Sequence, residues 1–324
     1  LALDEKSYYV GYDAKERRGR LEMKKPIWDS LVQNWEDIEN LWSYTIFNVL
    51  KICPDEVFAV ITESPTNPAK YREKSLETLF ELFNFEGVYL ASKSLLSLYS
   101  TGKTTGCVID SGYGSSYTVP IYEGYSSPNT IQELELGGRH LDDYLNKILL
   151  EKGYEFTTPL ELELLSEIKQ KLCIIQKDKK DNSIESKTYC LPDDTVVRLH
   201  KERYEVPEAI FDPSKIGINK SGLHDCCFKS VMKTMTDIRN EMFSNIVLAG
   251  GNTMFENYKS RMEAELRQLF PFKTEINIDQ REERMHSSWI GGSIIGNMDT
   301  FQHLCISRKE IEEQGVRIVH NKTF

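Results

Sequence analysis

The sequence lacks any apolar run approaching the roughly 18 to 20 residues needed to cross a bilayer, so no transmembrane helix is expected. Cysteine is sparse: seven in 324 residues, an odd number, with no C-x-x-C pair and with Cys226 and Cys227 adjacent. That usage excludes a disulfide scaffold and fits reduced thiols in a cytoplasmic or nuclear protein. Positive charge is in short supply too, since 40 Lys plus Arg face 50 Asp plus Glu for a formal net charge of −10. A dedicated nucleic-acid binder would concentrate basic residues on one face, so that class is disfavoured. The opening residues Leu1 to Lys6 hold no basic segment followed by an apolar one, and no signal peptide is expected. They also lack a Met, as a truncated chain would.

Several catalytic signatures are missing as well. The six histidines show no i, i+4 pair around an acid, so a zinc site is not expected. No G-x-S-x-G elbow occurs, which removes the serine-hydrolase nucleophile. Gly102-Lys103-Thr104 imitates the end of a phosphate-binding P-loop, but Ser97 stands where the first glycine is required.

What is present reads as an ordinary globular chain, 40% hydrophobic and 28% charged, long enough for about two domains. Strand and helix patterns alternate along it. The β-branched and aromatic run Val57 to Ile61 predicts a buried strand. Asn67-Pro68 predicts an N-cap with Pro at the first helical position, ahead of Leu76, Leu79, Phe80 and Phe83 on one face. Trp35, Ile38, Leu41, Trp42, Ile46 and Val49 fall at helical spacing from Asn34 and are expected in the core. Further helices are expected at 141–151, from a Thr158 cap through 174, at 224–242, at 253–269 and from Trp289; further strands at 88–90, 246–248 and 275–278; and a surface loop at 176–187. The alternation predicts an α/β class.

Two glycine turns follow predicted strands. In Asp110-Ser111-Gly112-Tyr113-Gly114, inside a predicted hairpin, the glycines allow backbone N–H groups to approach an anion closely. In Ala249-Gly250-Gly251-Asn252-Thr253 a strand runs toward a helix start, where free N–H groups favour phosphate. Either turn alone is a weak signal; together they fit a phosphate clamp.

Longer motifs carry a family resemblance. Leu98-Tyr99-Ser100-Thr101-Gly102-Lys103-Thr104-Thr105-Gly106, Thr118-Val119-Pro120-Ile121-Tyr122-Glu123-Gly124-Tyr125, Trp289-Ile290-Gly291-Gly292-Ser293-Ile294 and the terminal Ile318 to Phe324 resemble actin, collinearly over the whole chain. The resemblance implies an actin-like two-domain fold, duplicated ribonuclease-H-like domains around a cleft that holds ATP or ADP with Mg2+ or Ca2+. It implies a remnant of subdomain 2 at 1–25, subdomain 1 at 26–100 and 287–324, subdomain 3 at 101–136 and 219–286, and subdomain 4 at 137–218. Tyr8-Tyr9-Val10-Gly11 and Arg18-Gly19 resemble the part of actin just after its DNase-binding loop, which places the family's first phosphate loop upstream of Leu1.

The same resemblance assigns site residues and marks departures. Asp110 matches the acid that holds the metal ion through water, and Gly112 and Gly114 match the second phosphate loop. Gly138, Lys169, Gly250, Gly251, Asn252, Thr253 and Met254 keep or nearly keep the nucleotide-site pattern, whereas Gln170, Phe255 and Met285 replace its glutamate, tyrosine and lysine. Tyr113 replaces the second acid of the phosphate loop, Lys93 the glutamine that orients the attacking water, and Tyr117 the histidine that relays its proton. A lysine only donates, so it cannot accept a hydrogen bond from that water. Slow or absent hydrolysis is expected, because phosphoryl transfer to water depends on positioning.

For assembly, the resemblance places a partner cleft at Tyr99, Gly102, Thr104, Tyr125, Ile295, Met298, Thr300 and Leu304. Lys215 stands where actin has a Phe at the tip of its hydrophobic plug, which makes homopolymerisation doubtful, and Asp29 stands at a methylated-histidine position. The expected role is an ATP-binding structural subunit of a cytoskeletal assembly in the cytoplasm, partnered by actin or other subunits, with no direct contact to nucleic acid or membrane. A divergent filament-forming ATPase and a chromatin-remodelling subunit in the nucleus are the alternatives.

Overall fold

The computed structural model describes residues 8–177, 185–270 and 275–322. In chain order the strands are β1 (Ile27–Trp28), β2 (Leu31–Val32), β3 (Phe58–Glu63), β4 (Gly87–Ser92), β5 (Gly106–Ser111), β6 (Ser116–Ile121), β7 (Gln132–Leu134), β8 (Lys187–Cys190), β9 (Val196–Leu199), β10 (Ile246–Ala249), β11 (Ile278–Asp279) and β12 (Ile306–Ser307). Two mixed sheets organise them. The smaller has the order β12-β4-β3, with β3 and β4 parallel and β12 antiparallel to β4. The larger runs β11-β10-β5-β6-β7, with β10 parallel to both β5 and β11, and β6 antiparallel to β5 and β7.

Each sheet buries its own core. Leu76, Leu79, Phe80 and Phe83, the apolar face read from the sequence, pack with Val88 and Leu90 of the small sheet. The large sheet covers a bigger cluster in which Leu141, Leu145 and Leu149 of the helix Gly138–Glu151 meet Leu165, Ile168 and Leu172 of the helix Pro159–Leu172. Thr158 caps the latter helix reciprocally with Glu161, the capping-box arrangement. The helix Lys93–Tyr99 carries the chain from β4 to β5 and packs on the helix Ser287–Gly296. Their backbones touch: a Cβ added at Gly291 would lie 1.8 Å from the Leu96 carbonyl oxygen, so only glycine permits this crossing.

Several elements differ from the sequence reading, each for a tertiary or local reason. Pro68 takes the N-cap position of the helix Ala69–Glu77, because the Asn67 amide donates to Glu63 instead of capping. The helix begun at Trp35, capped by the Asn34 side chain, passes into a π-helical stretch at Tyr44–Leu50. The wider turn rotates the apolar stripe away from the core, leaving Val49 49% exposed. The helix expected at 224–242 is split into Leu223–Met232, a 3₁₀ turn at Thr236–Ile238 and Arg239–Ser244. Arg239 donates to the carbonyls of Met232 and Thr234 and so satisfies the end of the first segment.

The helix expected at 253–269 is likewise a 3₁₀ turn, Gly251–Met254, followed by Tyr258–Leu269. Asn257, at φ +67°, breaks it by donating its amide to the Ile175 carbonyl, while Ile175 N–H donates to Glu256. The strand expected at 275–278 is only Ile278–Asp279, with 271–274 outside the described residues. Of the predicted loop at 176–187, residues 178–184 lie outside the described residues and Lys187 opens β8.

Candidate functional site

Because β5 and β10 are parallel neighbours with Ala249 opposite Asp110, the two glycine turns leave the large sheet at the same edge, side by side. This is the edge at which parallel sheets place ligand sites. The contacts between the turns are close. Gly250 sits at φ +87°, ψ 157°, a region open essentially to glycine alone, and a Cβ there would meet the Ser111 carbonyl oxygen at 2.4 Å and Asp110 Oδ1 at 2.6 Å. Replacing Gly250 with Ala is therefore expected to cost about 1–3 kcal/mol from backbone strain alone. A denaturant midpoint that matches the parent would refute this.

A third segment closes the arrangement. The N–H groups of Gly138 and Arg139 donate to the carbonyls of Gly112 and Tyr113, at 2.9 Å each, and the Asn252 amide donates to the Gly112 carbonyl at 2.8 Å and to Ser111 Oγ at 3.1 Å. His140 Nδ1 accepts from the Gly137 N–H at 3.1 Å. Burial, then the Arg139 charge, holds its pKa below the usual histidine value, which keeps this nitrogen an acceptor. On the other side, Gly114 lies against the β1–β2 turn, where a Cβ would come within 3.1 Å of Asp29 Cα. That turn holds Asp29 and Ser30 at φ +46° and +65°, the pattern of a two-residue type I′ hairpin. Asp29 accepts from Arg139 at 2.8 Å, and the Arg139 guanidinium stacks 4.5 Å from the Trp28 ring centroid.

Between the three segments lies a cavity of about 410 Å³. Gly112, Gly138, Lys169, Gln170, Gly251, Asn252, Met254, Phe255 and Met285 all line it, brought together from positions 112 to 285. Of the other residues assigned from the sequence, Gly114 faces Asp29, and Gly250 stands behind the wall against Asp110. Met254, Phe255 and Met285 supply an apolar side; Ser166, Lys169 and Gln170, on successive turns of one helix, supply a polar one. Such a division suits a ligand with an apolar ring and polar substituents.

Two contributors escaped the sequence reading. Ser166 lies at i, i+3 from Lys169, a helical spacing that would have found it. Asp142 gave no local signal. It pairs with Lys169 at 2.8 Å inside the protein, while Lys169 Nζ also donates to the Gly138 carbonyl at 2.7 Å. Burial pushes the Asp142 carboxyl above its usual range, opposed by Lys169.

At the Gly112 end, Lys93 and Asp110 form an ion pair with Nζ–Oδ2 at 3.2 Å. The Lys93 ammonium also stands 4.9 Å from the ring centroid of Tyr117. It lies near the cavity-lining Gly112, where a Cβ would come 3.8 Å from Nζ. Tyr117 is only 1% exposed, and its hydroxyl donates to Glu133 at 2.8 Å and accepts from Ser64 Oγ at 3.0 Å. Its ring, not its hydroxyl, is what meets Lys93. Tyr113 is half exposed, and Lys25 Nζ donates to its hydroxyl at 2.9 Å. Among the described residues no group of three or more His, Cys, Asp or Glu is placed to hold a metal ion.

A family model for actin matches residues 2–324. The chain belongs to the actin family. Its mixed sheets and packed helices accordingly form the actin-like α/β fold, in a family whose members bind nucleotide with a divalent cation and interact with other proteins. Most of the positions assigned to an actin-type partner cleft are at the surface. Gly102, Thr104, Tyr125, Met298, Thr300 and Leu304 are exposed and Tyr99 half-buried. Ile295 is not on that surface: at 3% exposure it packs with Tyr89, Leu96 and Phe301, and the neighbouring Ile294 points outward instead. Lys215, assigned to the plug position from the sequence, is exposed.

Proposed function

We propose that this actin-family chain is an ATP-binding structural subunit of a cytoskeletal assembly, with weak or absent ATP hydrolysis. The observation that carries this reading is the pairing of Lys93 with Asp110 while the Tyr117 hydroxyl is engaged by Glu133 and Ser64, together with the glycine-lined cavity. The cavity supports binding. Its glycines let the turns at 112 and 250–252 approach a polyphosphate, its apolar side receives a purine, and Lys169 and Gln170 offer donors to the sugar.

A nucleotide placed there would supply the transferable phosphoryl group. The chain would have to supply an acceptor that aims water at it. Lys93 offers donors only, and the Tyr117 hydroxyl is bonded away from the cavity. Binding without turnover makes the nucleotide a structural ligand across the cleft. The exposed Lys215 at the plug position favours assembly with other subunits over self-assembly, because burying an unpaired ammonium is costly. We assign the protein on the same grounds to the cytoplasm and cytoskeleton.

The test is the nucleotide content of the complete polypeptide purified under native conditions. Acid extraction and ion-exchange chromatography are expected to recover close to one adenine nucleotide per chain, or to do so after incubation with ATP. A preparation that neither carries nor takes up nucleotide would defeat the reading.

A further inference from the structure

We infer that His140 is a positioning residue for this cavity that works only while its ring is unprotonated, so that acid loosens the cavity wall and its hold on nucleotide. The binding half of this rests on the nucleotide-binding reading above; the loosening of the wall does not.

Gly137, Gly138 and Arg139 form the segment that clasps the first glycine turn. The N–H groups of Gly138 and Arg139 donate to the Gly112 and Tyr113 carbonyls, and a Cβ on Gly137 would collide with the Tyr113 carbonyl oxygen. Gly112 and Gly138 both line the cavity, so a shift of this segment changes its wall directly. A single side chain anchors the start of the segment: His140 Nδ1 accepts from the Gly137 N–H at 3.1 Å. Gly137 is the N-cap of the helix Gly138–Glu151 and has no side chain of its own to cap it with.

A backbone amide only donates, so Nδ1 must present a lone pair. On the other side of the ring, Nε2 lies 3.0 Å from Arg139 Nη2, which is a donor at every pH. A neutral imidazole accepts at one nitrogen. An imidazolium accepts at neither and turns both of its N–H groups toward donors. Position adds to the conflict, because His140 is the third residue of its helix, in the first turn, where the helix dipole disfavours positive charge. The charged groups around the ring are Arg139 and Asp143 on its own helix, Asp29 on the β1–β2 turn and Glu135 just after β7. These acids favour a ring proton, but each is engaged by another cation: Asp29 and Asp143 by Arg139, at 2.8 and 3.3 Å, and Glu135 by Lys220 at 3.1 Å. Burial and the Arg139 charge outweigh them and hold the pKa of the ring below the usual histidine value. Protonation therefore breaks the Gly137 bond, and the clasp on Gly112 and Tyr113 loses its anchor.

The experiment compares the complete parent polypeptide with two variants. His140→Asn places Oδ1 as many bonds from the backbone as Nδ1 and accepts at every pH, whereas His140→Leu accepts at none. ATP is titrated in millimolar Mg2+ at about pH 7.5 and about pH 5.5, either side of the histidine range. On acidification the parent is expected to lose about threefold to tenfold in affinity relative to His140→Asn, the worth of one hydrogen bond. His140→Leu is expected to be weaker than the parent by a similar factor at the higher pH. The ligand-free protein gives a second readout. A ring whose folded pKa is lowered binds its proton more tightly when unfolded, so its stabilisation is full above the unfolded histidine value and is lost as pH falls through the folded one. The melting temperature of the parent should therefore drop relative to His140→Asn between the two pH values. A parent-to-Asn affinity ratio that does not change with pH, or melting temperatures that change in parallel, overturns the inference. No ATP binding at either pH defeats the nucleotide-binding reading, and the ligand-free melting then decides the inference by itself.

Discussion

Phosphate release from ATP by the complete polypeptide is expected to be about 10²-fold or more slower than by its Lys93→Gln, Tyr117→His double variant, the scale set by loss of nucleophile positioning. The reason is geometric as much as chemical. Glutamine offers a carbonyl oxygen that accepts from water, whereas the lysine that stands there offers none and is drawn onto Asp110. A histidine at 117 would also release Glu133 and Ser64 from a phenol that now occupies them. The single variants are expected to fall between, because residues that act as a unit are not additive. The measurement is single-turnover phosphate release with bound nucleotide quantified in parallel. Parent turnover equal to that of the double variant, at equal occupancy, would refute the proposed lack of hydrolysis.

The second large effect concerns Lys169. Its ammonium serves the cavity and neutralises the buried Asp142, so Lys169→Met should both abolish nucleotide binding and lower stability by about 3–5 kcal/mol, the cost of stranding a buried charge. Pairing it with Asp142→Leu should restore most of the stability without restoring binding, which separates the two roles. The pH response of the single variant has a definite sign. Burial already holds the Asp142 carboxyl above its usual range, and losing its cation raises it further. A carboxyl with a raised folded pKa binds its proton more tightly folded than unfolded. Its stabilisation is present below the unfolded carboxylate value and is lost as pH rises through the folded one. Acidification from neutrality toward that window should therefore raise the melting temperature of Lys169→Met relative to the parent. A variant that melts with the parent at neutral pH would show that the pair contributes no net stability.

Much of this protein could be read locally. Strands β3, β5, β6 and β10 follow from short β-branched runs, and Thr158 with Glu161 announces its helix start through a motif four residues long. Other features had no local signal. The π-helical stretch at Tyr44–Leu50 keeps the 3.6-residue hydrophobic spacing in the sequence, yet turns Val49 to solvent. Ile295 looks like a surface residue in a cleft motif, but the helix Ser287–Gly296 is pressed so closely on Leu96 through Gly291 that it becomes core.

The sequence by itself determined most of the elements, though not where several of them break, along with the two glycine turns and which side chains stand at the altered positions, because propensity, periodicity and glycine geometry act within a few residues. Tertiary structure alone decided what those side chains do. Lys93 finds Asp110 only because the helix between them folds back so that β4 and β5 end at the same site, and Lys169 finds Asp142 only because two helices cross there. Charge pairing inside a protein depends on distances set by register and packing, and no short window of sequence encodes them.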